Sequence, residues 1–217
     1  MKKLFILLLI ASCTVLFAQD KKDTAGEPAK GEKTSSSIPD GYGSLKWGTT
    51  VSAARGGISG KIVDTDEKSR IVSRDGELEY LYGFFYVDPA VEAAIKGESR
   101  PEADKDKKTP DSSGQKADEG KLFYVALKFP YLAMEEVRKK LQDKYGPWTS
   151  DNLADSQGAI AWNGDKTIIV MWVDRYEKKP YCRRIVYVSK DIVKELNEYQ
   201  NKVFNKTEQE LIRKLNP

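Results

Sequence analysis

Residues 121–147, "KLFYVALKFPYLAMEEVRKKLQDKYGP", contain a change of period on which the fold turns. From Lys121 the apolar side chains alternate, placing Phe123, Val125, Leu127 and Phe129 on one face, as in a strand with one side buried. Pro130 has no N–H to give to a ladder and is expected to end that strand. From Met134 the spacing becomes three and four, so that Met134, Val137, Leu141 and Tyr145 form one helical stripe. Glu135–Lys139 and Glu136–Lys140 are placed to pair on the outer side, and Gly146-Pro147 stop the helix. A one-sided strand running into an amphipathic helix calls for a sheet with helices layered on it.

The flanking sequence extends this pattern in both directions. Upstream, Thr49 or Thr50 can cap a short helix over Val51 to Arg55 that ends at Gly56-Gly57. Ile62-Val63 and Ile71-Val72 flank a polar turn, and Leu78, Tyr80, Tyr82, Phe84 and Tyr86 alternate along a longer strand that Asp88-Pro89 closes. A short helix at 90–95 can follow. Downstream, strands are expected near 158–163, 167–174 and 182–189, turned by Asn163-Gly164-Asp165 and by "RYEKKPY". Ser189 then caps a helix with Ile192, Leu196, Tyr199 and Val203 on one stripe, and Thr207 to Glu210 form a second capping box after a break near Asn205. The expected class is α+β: an antiparallel sheet with helices on one face, read as two tandem α-β-β-β units plus a C-terminal helix.

Two segments lack apolar periodicity. Residues 19–43 are rich in Lys, Glu, Gly, Ser and Pro and are expected to be a flexible linker. Residues 96–120 contain no Val, Leu, Ile or aromatic residue, and are expected to be a disordered insertion in a single domain spanning 44–217. Ahead of them, Lys2 and Lys3 precede the apolar run Leu4 to Phe17, which is too short for the ~20 residues of a membrane-spanning helix and suits an export leader, residues 1–18. Cleavage after Ala18 leaves an unlipidated chain starting at Gln19. The alternative takes Ile10-Ala11-Ser12-Cys13 as a lipoprotein signal, with Cys13 lipidated and the protein tethered to a membrane. Either way the expected location is exported, in the periplasm.

The 217 residues include 36 basic and 33 acidic ones and no histidine. Without histidine, Ser-His-Asp and Cys-His nucleophile systems and His-ligated zinc are excluded. A chain cut after Ala18 keeps only Cys182, so no internal disulfide or cysteine-clustered metal site forms. Arg183 and Arg184 beside Cys182 would favour a thiolate; the alternative is a plain buried side chain. Asp64-Thr65-Asp66-Glu67, and Asp151 with Asp155, offer oxygens but lack calcium-loop spacing. "RGGISGK" at 55–61 has the wrong context for a phosphate loop. No cofactor, metal or catalytic residue is expected.

The helix-then-sheet unit opened by Trp47-Gly48-Thr49-Thr50 resembles small exported modules of the β-lactamase-inhibitor-like type, and the stretch 131–170, with Lys144-Tyr145-Gly146-Pro147 and Trp162 near a strand end, resembles uncharacterised exported bacterial proteins of this shape. Outer-membrane lipoproteins of the SmpA/OmlA kind share that plan. The resemblance spans about two-thirds of the chain and lies in element order, and no functional residue transfers with it. It implies binding of other proteins or organisation of the envelope rather than catalysis. The insertion at 96–120 departs from the compact pattern.

Aromatic residues are concentrated in the strands, and the face opposite the core, with Tyr124, Trp172 and Phe85, is a candidate contact patch. Beside it Arg175, Lys178, Lys179, Arg183 and Arg184 crowd one hairpin, and residues 121–217 carry 18 basic against 13 acidic side chains. These residues point to another envelope protein or an acidic envelope component as partner. Nucleic acid is not expected outside the cytoplasm, nor a membrane unless Cys13 is lipidated. The expected function is a non-enzymatic binding module; the alternative is a carboxylate-dependent hydrolase of cell-wall glycan.

Overall fold

The computed structural model describes residues 38–89, 91, 119–204 and 206–215. The expected leader with Cys13, most of the expected linker, the short helix expected at 90–95 apart from Val91, and residues 96–118 of the expected insertion lie outside them.

After a small ribbon, β1 (Gly41–Tyr42) and β2 (Leu45–Lys46), come α1 (Val51–Ala54), a 3-10 turn (Arg55–Gly57), and strands β3 (Lys61–Thr65), β4 (Arg70–Asp75), β5 (Leu78–Phe85) and β6 (Lys121–Ala133). Then α2 (Met134–Tyr145) leads to β7 (Ser150–Ala154), β8 (Gln157–Asn163), β9 (Thr167–Tyr176) and β10 (Lys179–Ser189), followed by α3 (Lys190–Val203) and α4 (Lys206–Leu215). The strands form one antiparallel sheet in the order β3-β4-β5-β6-β10-β9-β8-β7. Each half is a helix followed by a four-strand meander, and the last strands of the two halves meet at the centre. The expected unit thus has four strands rather than three; the additional ones are β6 in the first half and β7 in the second.

On one face α1 and α2 close a core in which Met134, Val137, Leu141 and Tyr145 are all buried, as their spacing predicts. The same face carries Tyr42, Tyr80, Tyr82 and Tyr187. Buried phenols need partners: the Tyr145 and Tyr187 hydroxyls lie 3.3 Å apart, and Tyr82 accepts from the Ser59 N–H at 3.0 Å. On the opposite face Val193 of α3 packs on Ala126, Val186, Val188, Tyr124 and Trp172. The helices are thus divided between the two faces. Trp162 is fully buried and donates its indole N–H to the Gly146 carbonyl at 2.9 Å, just beyond α2. Trp47 donates to the Thr167 hydroxyl, which donates in turn to the Pro39 carbonyl, both at 2.7 Å.

Several local expectations change. Thr50 precedes α1 without a side-chain cap; the Ser52 N–H is met instead, at 2.9 Å, by the Glu119 carboxylate, whose pKa that bond holds below its usual range. Glu135 pairs with Arg138, and Lys139 with Asp143 at 2.7 Å, rather than in the expected Glu–Lys pairs. Gly146 ends α2 at φ 81, where a side chain would strain the backbone. Pro130 does not end β6, which continues to Ala133. The ladder from β10 is interrupted there, passing from Cys182↔Leu132 to Arg184↔Lys128, so the missing N–H costs nothing. A bulge in β6 opposite Gly83 and Phe84 also inverts the side-chain parity, putting Leu122 into the main core in place of Phe123.

Of the described residues, those up to Tyr199 form one compact unit, which holds the sheet; 200–204 and 206–215 belong to another. In the latter, α4 has Glu208 in its first turn and Arg213 and Lys214 in its last, charges that suit the helix dipole.

Candidate functional site

The three central strands outrun their neighbours. The ladder from β5 reaches only Lys128 of β6, and that from β8 only Val173 of β9. Beyond those points residues 129–133, 174–176 and 179–183 make a three-stranded flap about five residues long, or ~16 Å at strand rise. Its tip is the two-residue turn Glu177-Lys178, with φ of 48° and 64°.

Large apolar groups are exposed on the flap: Tyr131 at 44%, Leu132 at 45% and Tyr176 at 51%. Tyr131 stacks on Tyr176 with ring centroids 5.4 Å apart, and Tyr181 meets both edge-on at 5.9 and 6.2 Å. The rings contact one another and leave an aromatic surface to solvent. Arg183 is the extra residue of a bulge in β10 against β9, which re-aims its side chain. Its guanidinium lies 5.3 Å from the Tyr131 ring, donates to the Tyr131 hydroxyl at 3.0 Å, and has Asp174 3.8 Å away. Arg184 lies 4.8 Å over the Trp172 ring.

A cleft of about 350 Å³ opens where the flap leaves the sheet, lined by residues 128–131 with Asp174, Arg183 and Arg184. Lys128 at its edge is 3.5 Å from Glu79, whose carboxyl is held below its usual range by the Arg74 hydrogen bond and by the Lys128 charge. Among the described residues, Arg184 has no carboxylate within ion-pair distance.

Of the residues singled out from sequence, Arg175, Lys178, Lys179 and Arg183 are exposed on the flap, and Arg184 and Trp172 are half-buried at its base. Tyr124 is elsewhere. It is four residues before Lys128, ~13 Å along β6, and packs in the cluster under α3. Phe85 is covered by an edge-on contact with Tyr199 at 5.8 Å. The expected patch of Tyr124, Trp172 and Phe85 is therefore not a continuous open surface, because α3 lies on it. Sequence reading missed Tyr131, Tyr176 and Tyr181 as a surface group. Tyr131 reads as a helix start, and the other two as parts of a turn.

Cys182 is fully buried in the main core. Burial pushes its thiol up to about 12, which the nearby Arg184 charge only partly offsets, so the reactive reading falls. Burial tends to raise the Asp66 carboxyl, but bonds from the Ser69 hydroxyl and the Ser69, Lys68 and Arg70 N–H groups outweigh it and hold it below its usual range. Asp66 thus organises the β3–β4 turn, and Asp64 pairs with Arg70. No helix among the described residues is long and apolar enough to cross a membrane. No family model, curated protein or solved structure matches the chain.

Proposed function

We propose that this chain is an exported, non-enzymatic protein-binding module of the cell envelope, and that the flap of β6, β9 and β10 is its contact surface. The observation that carries the reading is the exposed Tyr131–Tyr176–Tyr181 surface rimmed by Arg183. Tyrosine and arginine are the residue types most enriched where interfaces concentrate their energy. The cleft beside it has a single lining carboxylate, Asp174, which supports binding over the hydrolase alternative, since glycan cleavage ordinarily uses two. Export with cleavage after Ala18 belongs to this reading, as does the periplasmic location.

The test is cross-linking of the mature protein in native envelope, with Tyr176→Ala alongside. A partner captured by the wild type and weakened tenfold or more by Tyr176→Ala, ~1.4 kcal/mol or above, supports the reading. Equal capture by both removes the flap from it. Soluble fragments released from purified cell wall would establish the hydrolase instead.

A further inference from the structure

We propose that the cleft at the base of the flap is a receptor for a side-chain carboxylate in an acidic peptide segment, with Arg184 as the residue that binds it. This rests on the protein-binding reading and names the partner's chemistry.

The cleft's cations are not equally available. Arg183 has Asp174 3.8 Å from its Nε and donates to Tyr131, while Lys128 shares Glu79 with Arg74. Of these three cations, Arg184 alone has no carboxylate within ion-pair distance among the described residues. Trp172 lies beneath its guanidinium at 4.8 Å, and Arg184, half-buried, lines the cleft. A planar guanidinium can offer a carboxylate two parallel hydrogen bonds. One uncompensated positive charge suits a monoanion. The volume, about 350 Å³, admits one side chain with its backbone, and Pro130 gives the aliphatic part of a Glu an apolar wall. Residues flanking that acid would lie along the adjacent tyrosine rings. An anionic lipid surface fits less well, because Asp174 and Glu177 on the same flap would face the headgroups and Leu132 is the only exposed aliphatic group of large size there.

The experiment titrates the mature protein with a labelled synthetic peptide of alternating Glu and Tyr, its Gln-Tyr counterpart, and phosphatidylglycerol vesicles. Arg184→Gln and Tyr176→Ala are measured beside the wild type, each with its thermal midpoint. Binding of the Glu peptide, at least tenfold weaker binding of the Gln peptide, and a tenfold or greater loss in Arg184→Gln support the receptor. Equal binding of both peptides, lowered only by Tyr176→Ala, overturns it and leaves the aromatic contact surface standing. Binding to vesicles alone, or to none of the three probes, also overturns it, and cross-linking then judges the wider reading separately. Should Arg184→Gln lower the midpoint by more than a few degrees, Lys128→Gln at the exposed rim replaces it; a loss of threefold or more of Glu-peptide affinity is expected, and unchanged affinity counts against the cleft.

Discussion

Two groups of tyrosines in this molecule have the same chemistry and opposite surroundings. Tyr42, Tyr80, Tyr82, Tyr145 and Tyr187 pack between the sheet and α1 and α2, with Tyr42 and Tyr187 4.9 Å apart and stacking between Tyr80 and Tyr82 at 6.2 Å. Tyr131, Tyr176 and Tyr181 touch at similar distances, 5.4 to 6.2 Å, but on a flap with no strand on either side. The first group is enclosed and contributes to folding. The second is organised by ring contacts, with Tyr131 and Tyr176 left in water, and that exposure brings the folded state little stability. The contrast separates residues that hold the fold from residues that are free to serve a partner.

The largest effect expected from that contrast is a pair of alanine exchanges. Trp162→Ala should cost ~3–5 kcal/mol, because a fully buried indole leaves a cavity and the Gly146 carbonyl loses its donor. Tyr176→Ala, at a ring that is 51% exposed, should change stability by no more than ~0.5 kcal/mol. Urea denaturation measures both. A cost at Tyr176 comparable to that at Trp162 would mean that the flap is part of the core and would erase the distinction.

A middle-sized effect comes from alkaline pH. Burial, the nearness of Tyr145 and Tyr42, and the Tyr145 hydrogen bond all raise the Tyr187 phenol above its ordinary value. Below about pH 10 it is protonated in both folded and unfolded chains, so its contribution to stability is intact. Above that the unfolded chain ionises first, and stability falls as pH rises toward the folded value, by at most ~1.4 kcal/mol per pH unit for one phenol. Burial raises Tyr42 as well, so the two should act together. Tyr187→Phe should flatten the alkaline limb of a stability–pH curve by about one proton, while losing ~1 kcal/mol at neutral pH with the Tyr145 contact. Tyr176→Phe, at an exposed ring, is the control. An unchanged limb in Tyr187→Phe would place the alkaline sensitivity elsewhere.

How far the sequence could be read depended on whether local periodicity continued undisturbed. The α2 stripe was legible because Met134, Val137, Leu141 and Tyr145 keep one helical spacing from end to end. Ser189 was legible as a cap and is one, 3.4 Å from the Ile192 N–H. Counting in twos along β6 fails at the bulge opposite Gly83 and Phe84, which no composition signal marks: Phe123 is buried, but it is Leu122 that shares the face of Val125. Strand β7 was missed because "SDNLA" is an edge strand with Leu153 as its one large apolar residue. The flap was half legible. Its arginines and lysines stand out in sequence, but "RYEKKPY" reads as a loop, whereas the strands run through Tyr176 and resume at Lys179. The available signal was the tyrosine on each side of a two-residue turn; joining them to Tyr131 needed the fold.

The smallest effect concerns two turns that resemble each other. Asp155-Ser156, between β7 and β8, and Glu177-Lys178, at the flap tip, are both two-residue hairpin turns with every central φ between 48° and 64°. Asn-Gly is favoured for such turns, since side chains such as those of Glu and Lys resist the left-handed region. Replacing either pair by Asn-Gly should therefore stabilise the protein by about 1 kcal/mol, read as a rise in the urea midpoint. Neither exchange is expected to move the sheet register, because both turns keep two residues. The difference should appear in binding. At the flap tip Lys178→Gly alone, which keeps Glu177 and removes a cation from the rim, should lower the association rate for an acidic partner at low salt by a few-fold. Asp155-Ser156→Asn-Gly should leave that rate unaltered. A strained turn kept where a relaxed one is available is expected at sites selected for contact rather than stability. If Lys178→Gly stabilised the protein without slowing association, Lys178 would be serving the turn alone, and the comparison of the two tips would carry no functional weight.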